Sequence, residues 1–179
     1  MPVYVFFEKE ESMRSNMRAS VWAIAIALVG LVVAAGMPIA QAGDVALVFS
    51  GEGQTQGRYN FSWNHEAKVS SEKLAAGGEE VLKAIFQGAE VKGDDSKIDK
   101  ASGTFKIDGG KVSGHVKLEW KVQGNPKVIE ADLDGTSSTT GETGKVSFAA
   151  KNVKVSGSWN WGGGEMAITG KASFKVESK

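Results

Sequence analysis

No cysteine occurs in the 179 residues of this chain. That absence excludes disulfides, thiol catalysis, thiolate-rich metal centres and lipid attachment behind an apolar leader, so stability has to come from packing and strand pairing. Charge of one sign is lacking too: 21 basic residues balance 21 acidic ones. Without a clustered basic excess there is no footprint for nucleic acid. Only two histidines are present, His65 and His115, and neither stands at a metal-ligand spacing or beside a visible catalytic partner. No Gly-x-Ser-x-Gly elbow anchors a hydrolase triad. Asp94, Asp95 and Asp99 invite a calcium reading, but Lys97 and Lys100 interleave them and no acid closes an EF-hand loop. A solvated loop is expected there. These absences point away from an enzyme and from any cofactor.

What is present begins with a leader. Val21 to Ala35 is an almost unbroken apolar run preceded by Arg14 and Arg18, followed by the helix breakers Gly36 and Pro38 and by the small-x-small site Ala40-Gln41-Ala42. This is the order of a secretory signal peptide, and cleavage is expected before Gly43. Glu8, Glu10 and Glu11 are acidic where such a leader should be basic, so translation is expected to begin at Met13 or Met17. The arginines are not adjacent, which favours the general secretory route over the twin-arginine one. A competing reading keeps Val21 to Ala40 as an uncleaved anchor, since that length spans a bilayer. With residues 1–42 as signal peptide, 43–179 form one neutral domain of 137 residues, periplasmic or secreted and not membrane-bound after cleavage.

After Gly43 the dominant signal is period-two alternation. From Lys111 to Val122, Val112, Gly114, Val116, Leu118, Trp120 and Val122 share one face, and Lys111, Ser113, His115, Lys117, Glu119 and Lys121 share the other. Similar patterns, separated by Asp108-Gly109-Gly110, Gln123-Gly124-Asn125-Pro126, the polar stretch 135–144 and Gly162-Gly163-Gly164, predict eight strands: 44–50, 57–64, 101–108, 111–122, 127–134, 145–149, 152–161 and 165–177. The first is apolar on both parities, which suggests cover on both sides. Glu130, Asp132 and Asp134 alternate along one face, where cations of the preceding strand such as Lys117 and Lys121 are expected to pair with them.

One segment breaks the pattern. Within 65–100, Val81, Leu82, Ile85 and Phe86 form a helical stripe with Glu79 and Glu80 at its start and Gly88 beyond its end, predicting one short inserted helix flanked by loops. Gly103, Gly114, Gly157 and Gly170 each follow Ser or Thr and share the parity of the apolar face. Glycine at such places marks a strand bend or a position covered by a neighbouring ring, and bends curl a long sheet.

The expected fold is all-β: about eight antiparallel strands in a meander, a closed or nearly closed barrel that in outline resembles the lipocalin-like barrels, with a β-sandwich as the alternative. None of the lipocalin sequence motifs is present. Tyr59, Trp63, Phe86, Trp159 and Trp161 are the candidate ligand-binding residues, because an indole or phenol offers an apolar face with one polar tip. Trp120, between Leu118 and Val122, is assigned to the core. The leading expectation is an exported, non-enzymatic protein holding a small apolar, amphiphilic or carbohydrate ligand in its barrel, with the helix as a lid. A structural or surface-assembly protein is the alternative, and an eight-stranded outer-membrane barrel comes third. Oligomeric state is open at this point.

Overall fold

A computed structural model describes residues 43–56, 59–138 and 144–179, apart from the side chain of Trp161. The signal-peptide assignment to 1–42 lies outside the described residues. The strands are β1 (Asp44–Thr55), β2 (Tyr59–Ser70), β3 (Glu90–Val91), β4 (Ser96–Lys97), β5 (Lys100–Asp108), β6 (Lys111–Val122), β7 (Asn125–Ser138), β8 (Lys145–Trp161) and β9 (Gly164–Ser178). Two helices, α1 (Ser71–Ala76) and α2 (Glu79–Phe86), lie between β2 and β3. The fold is all-β with a barrel-like sheet: seven antiparallel strands in the order β2-β1-β9-β8-β7-β6-β5, beside the small β3-β4 sheet. Strands β5 to β9 form the expected meander. The chain's first long strand then pairs with its last, Phe49 opposite Val176, which sets the β1–β2 hairpin on the far side of β9.

Three of the turns follow directly from their residues. Gly109-Gly110, Gln123-Gly124 and Gly162-Gly163 each form a two-residue loop with both φ angles positive, the hairpin geometry whose twist matches that of the flanking strands. The described residues form seven long strands where eight are expected, because 145–149 and 152–161 are one strand, β8. Its inward parity passes from Val146 and Phe148 to Val153 and Val155 through a register shift at Asn152, whose φ is 52°. A bulge absorbs the extra residue and keeps both halves facing the core. Strands β1 and β2 also run past their expected ends. Outward-facing Ala46 and Val48 of β1 are only half-buried, so the cover expected on both sides of that strand is complete only inside.

The mid-strand glycines are sites of close approach. A Cβ on Gly103 would stand 2.1 Å from the carbonyl oxygen of His115, and one on Gly114 would stand 2.1 Å from that of Thr104. These two glycines let β5 and β6 cross closely enough to bend together, which is how the sheet curls.

The curl leaves an opening between edge strands β2 and β5, and the helices fill it. Two helices form where one is expected. Ser70 ends β2 and caps α1, its hydroxyl accepting from the Lys73 N–H at 3.2 Å. Gly77, with φ 70°, ends that helix, and Gly78 donates its N–H to the Phe105 carbonyl of β5 at 2.8 Å. Helix α2 then packs on β5, β2 and β1, with Val81, Leu82, Ile85 and Phe86 wholly buried. Full burial of such side chains stabilises by about 1.5–3 kcal/mol each. This helix is a wall of the core, a different role from the lid expected of it.

The β3–β4 hairpin bridges the same opening at the end where the β1–β2, β6–β7 and β8–β9 connections cluster. Lys92 and Ser62 exchange backbone hydrogen bonds of 2.9 and 3.0 Å, stitching the hairpin to β2, and Asp99 donates to the Glu119 carbonyl of β6 at 2.9 Å. The enclosed volume is filled by aromatic rings. Phe49 contacts Trp63, Phe86 and Phe174 at centroid distances of 5.5, 4.8 and 5.5 Å, and Phe61 contacts Trp63 and Trp120 at 5.1 and 5.7 Å.

Candidate binding site at the end of the barrel

The residues singled out from sequence fall into two groups. Trp63 and Phe86 are buried in the aromatic core, joined through Phe49, and face no open space. Trp120 is core as expected. Tyr59 and Trp159 come together at the end of the barrel, where their rings lie nearly parallel, 6.4 Å apart with 14° between planes. The two strands are not neighbours, since β1 and β9 lie between them. The pair forms because Tyr59 begins β2 and Trp159 stands near the tip of the β8–β9 hairpin, beyond the end of β1. Tyr59 is 65% exposed, and Met166, opposite Trp159 in the hairpin, is 60% exposed. The Trp161 side chain lies outside the described residues.

Beneath this rim sits a polar cluster that sequence reasoning misplaced. Asp94, expected in a solvated loop, is the tip of the β3–β4 hairpin and its side chain is only 4% exposed. Lys127, 5% exposed, donates from Nζ to both of its carboxylate oxygens at 2.9 Å, and Trp120 donates its indole N–H to Oδ2 at 2.9 Å. The ammonium also lies 5.7 Å from the centre of the Phe61 ring, a distance at which a cation is attracted to the ring face. Register explains how a lysine enters the barrel. Lys127 pairs with Trp120 on one side and Gly157 on the other, all of inward parity, and the missing Cβ of Gly157 leaves room for the lysine stem. A signal was available in the inward series Asn125, Lys127, Ile129, Ala131, Leu133, where a lysine stands in an otherwise core-facing row. Asn125 is buried as well, its side-chain carbonyl accepting from the Asn160 N–H at 2.9 Å, which ties the β6–β7 turn to the β8–β9 hairpin.

The outer face of the sheet is ionic. His115, solitary by sequence, has its Nδ1 3.0 Å from Asp132 Oδ1, and Asn152 donates to the other oxygen at 2.8 Å. The hydrogen bond from Asn152, then that from His115, hold the Asp132 carboxyl below its ordinary value. Asp134 takes Lys151 of β8, and Lys117 pairs with Glu119 on its own strand at 2.9 Å. The acids of β7 thus find partners on the following strand as well as the preceding one. His65 is half-buried in β2, opposite Phe49 in the β1 ladder. Among the described residues no group of three or more acids and histidines is arranged to hold a metal ion.

A groove of about 790 Å³ at β1, β2, β9 and the β3–β4 hairpin is lined by outward Glu52, Gln54, Asn60 and Lys171, by Phe61 and Ala172 of inward parity, and by Lys92 and Gly93. Its lining mixes exposed polar side chains with the buried Phe61 ring. Comparison with protein-family models, curated proteins and solved structures found no match to this chain.

Proposed function

We propose that this chain is an exported, non-enzymatic binding protein that takes a small apolar, amphiphilic or carbohydrate ligand at the end of its barrel, on Tyr59 and Trp159. One observation carries the reading: two large aromatic side chains stack across a gap between non-adjacent strands while one of them stays 65% exposed. A ring held in that way has a free face for a sugar ring or an acyl chain, and its order is set by the strands and not by the ligand. The filled interior moves the ligand from the barrel centre, where Trp63 and Phe86 were expected to meet it, to the rim. Export rests on the leader ending at Ala42. The outward rows carrying Lys117, Glu119, Glu130, Asp132 and Asp134 suit water and would be costly against lipid, which disfavours the outer-membrane reading.

The test is a titration of tryptophan fluorescence with fatty acids, isoprenoid alcohols and oligosaccharides, alongside Tyr59→Ala and Trp159→Ala. At least one ligand class is expected to shift the emission of the native protein, and both variants to weaken that response at least tenfold. Binding that survives both substitutions would remove the rim from the site. A filled core also favours the structural or assembly reading, with Tyr59 and Met166 as contact residues. Concentration-dependent sedimentation abolished by Tyr59→Ala and Met166→Lys, with no ligand response, would support that reading instead.

A further inference from the structure

Resting on the rim-binding reading, we propose that Asp94 is a built-in stand-in for the head group of the ligand, and that the ligand is an amphiphile with a single carboxylate. Lys127 is buried on every side, and its cation is neutralised by the carboxylate at the tip of a hairpin, not by a residue of the strands that hold it. The donors belong to the barrel wall: the Lys127 ammonium and the Trp120 indole N–H. A third donor is idle. The indole N–H of Trp63 is buried without a hydrogen-bond partner, and its ring centre is 6.2 Å from that of Trp120. A buried donor set containing a cation, one spare N–H and a detachable anion is an anion site occupied by the chain itself.

Exchange is the physically inexpensive way to open it. Withdrawing Asp94 alone leaves a buried ammonium unpaired, whereas substituting one carboxylate for another leaves the charge balance unchanged. The base of the hairpin is fixed by the buried Val91 side chain, by the Ile98–Ala89 and Gly88–Ile98 backbone hydrogen bonds and by the Lys92–Ser62 pair, which leaves the tip, Gly93 to Asp95, as the segment that withdraws. Its turn is built on Gly93 and Asp95, both at positive φ (93° and 44°). Uncharged residues link the rim to Lys127. Phe61 lies two residues along the same face of β2 from Tyr59 and beside Lys127, and Trp159 lies two residues from Gly157, the strand partner of Lys127. A carboxylate that takes the place of Asp94 thus meets Lys127 with its tail against the Tyr59–Trp159 rim.

The experiment compares oleate with oleyl alcohol on protein purified from the full-length chain, by isothermal titration of the native protein, Asp94→Asn, Asp94→Ala and Lys127→Met. Asp94→Asn keeps the hairpin's hydrogen-bonding shape while removing its charge, so it serves if Asp94→Ala fails to fold. Either Asp94 variant is expected to bind oleate at least tenfold more tightly than the native protein, with oleyl alcohol unchanged, and Lys127→Met to lose the preference for oleate. Equal oleate affinity in native and Asp94 variants, or an oleate preference that survives Lys127→Met, overturns the proposal. If the alcohol still binds and Tyr59→Ala abolishes it, the rim reading stands while the anion site falls. If neither probe binds any of the proteins, the anion site falls, and the rim reading is decided by the fluorescence titration with isoprenoid alcohols and oligosaccharides.

Discussion

The buried Asp94–Lys127 pair makes the sharpest statement about stability. Both side chains are about 95% removed from water, and three charge-assisted hydrogen bonds of 2.9 Å converge on one carboxylate. Replacing one partner strands the other as an unpaired buried charge, at a cost of about 3–5 kcal/mol, whereas replacing both with apolar residues is near neutral or stabilising by about 1–4 kcal/mol. A domain of this size has roughly 5–15 kcal/mol in total, so either single change removes a large fraction of it. Lys127→Met and Asp94→Ala are each expected to lower the urea midpoint by roughly 2–3 M at a slope of ~1.5 kcal/mol per M. The double variant is expected to recover most of that loss. Because the pair is dry, the coupling should persist in 0.5 M NaCl, unlike that of a surface pair (the screening length at ~0.1 M salt is about 10 Å). The assay is urea unfolding followed by far-ultraviolet circular dichroism, analysed as a double-mutant cycle. Single-variant losses below ~1 kcal/mol, or strictly additive ones, would refute a desolvated pair and return Asp94 to the solvated loop.

Two further outcomes follow from the sheet. Gly103→Ala forces a Cβ to 2.1 Å from a neighbouring carbonyl oxygen at a φ of 131°, so a loss of ~2 kcal/mol or more is expected in urea unfolding, while Gly164→Ala, whose Cβ meets open space, should change stability by less than ~0.5 kcal/mol. Equal effects at the two sites would contradict the close crossing of β5 and β6. The depressed carboxyl of Asp132 contributes stability that is present above its ordinary value of 3.8 and is lost as pH falls through its lower folded value. Asp132→Asn is therefore expected to melt below the native protein at neutral pH and to converge with it under strong acid, in melting curves taken between pH 7 and 2. A gap that stays constant across that range would show that the Asn152 and His115 contacts do not favour the ionised form.

Much of the sheet is legible from local chemistry. Alternation, glycine-paired turns and the helical stripe at 81–86 are set by residues within a few positions of each other, and β5, β6, β9 and α2 appear close to their expected bounds. The departures occur where distant residues decide. Asn152 resembles a strand break because the parity changes there, and only the fixed ladders of β7 and β9 on either side make a bulge cheaper than a turn. Ser71–Ala76 has weak helical patterning of its own. It forms a turn because Ser70 caps it and the chain must cross from β2 to the β5 edge.

The candidate site divides in the same way. That Tyr59, Trp63, Trp159 and Phe86 are large aromatics on apolar faces is written in the order of residues, but parity reports which face a side chain takes and is silent on its depth along the barrel. Depth is set by where β1 ends relative to the β8–β9 hairpin, and this stagger leaves Tyr59 in water while it buries Phe61 two positions later and Trp63 four. An inward lysine was visible at position 127 of the row, yet its partner stands 33 residues away on a hairpin whose local sequence, Gly93-Asp94-Asp95-Ser96, reads as solvated. Composition, the absence of cysteine and the β character follow from the chain alone because each is a property of residues or near neighbours. The stacked rim and the carboxylate lodged in the barrel end arise from non-local pairing, since the curl of seven strands places β2, β6, β7 and β8 around one space.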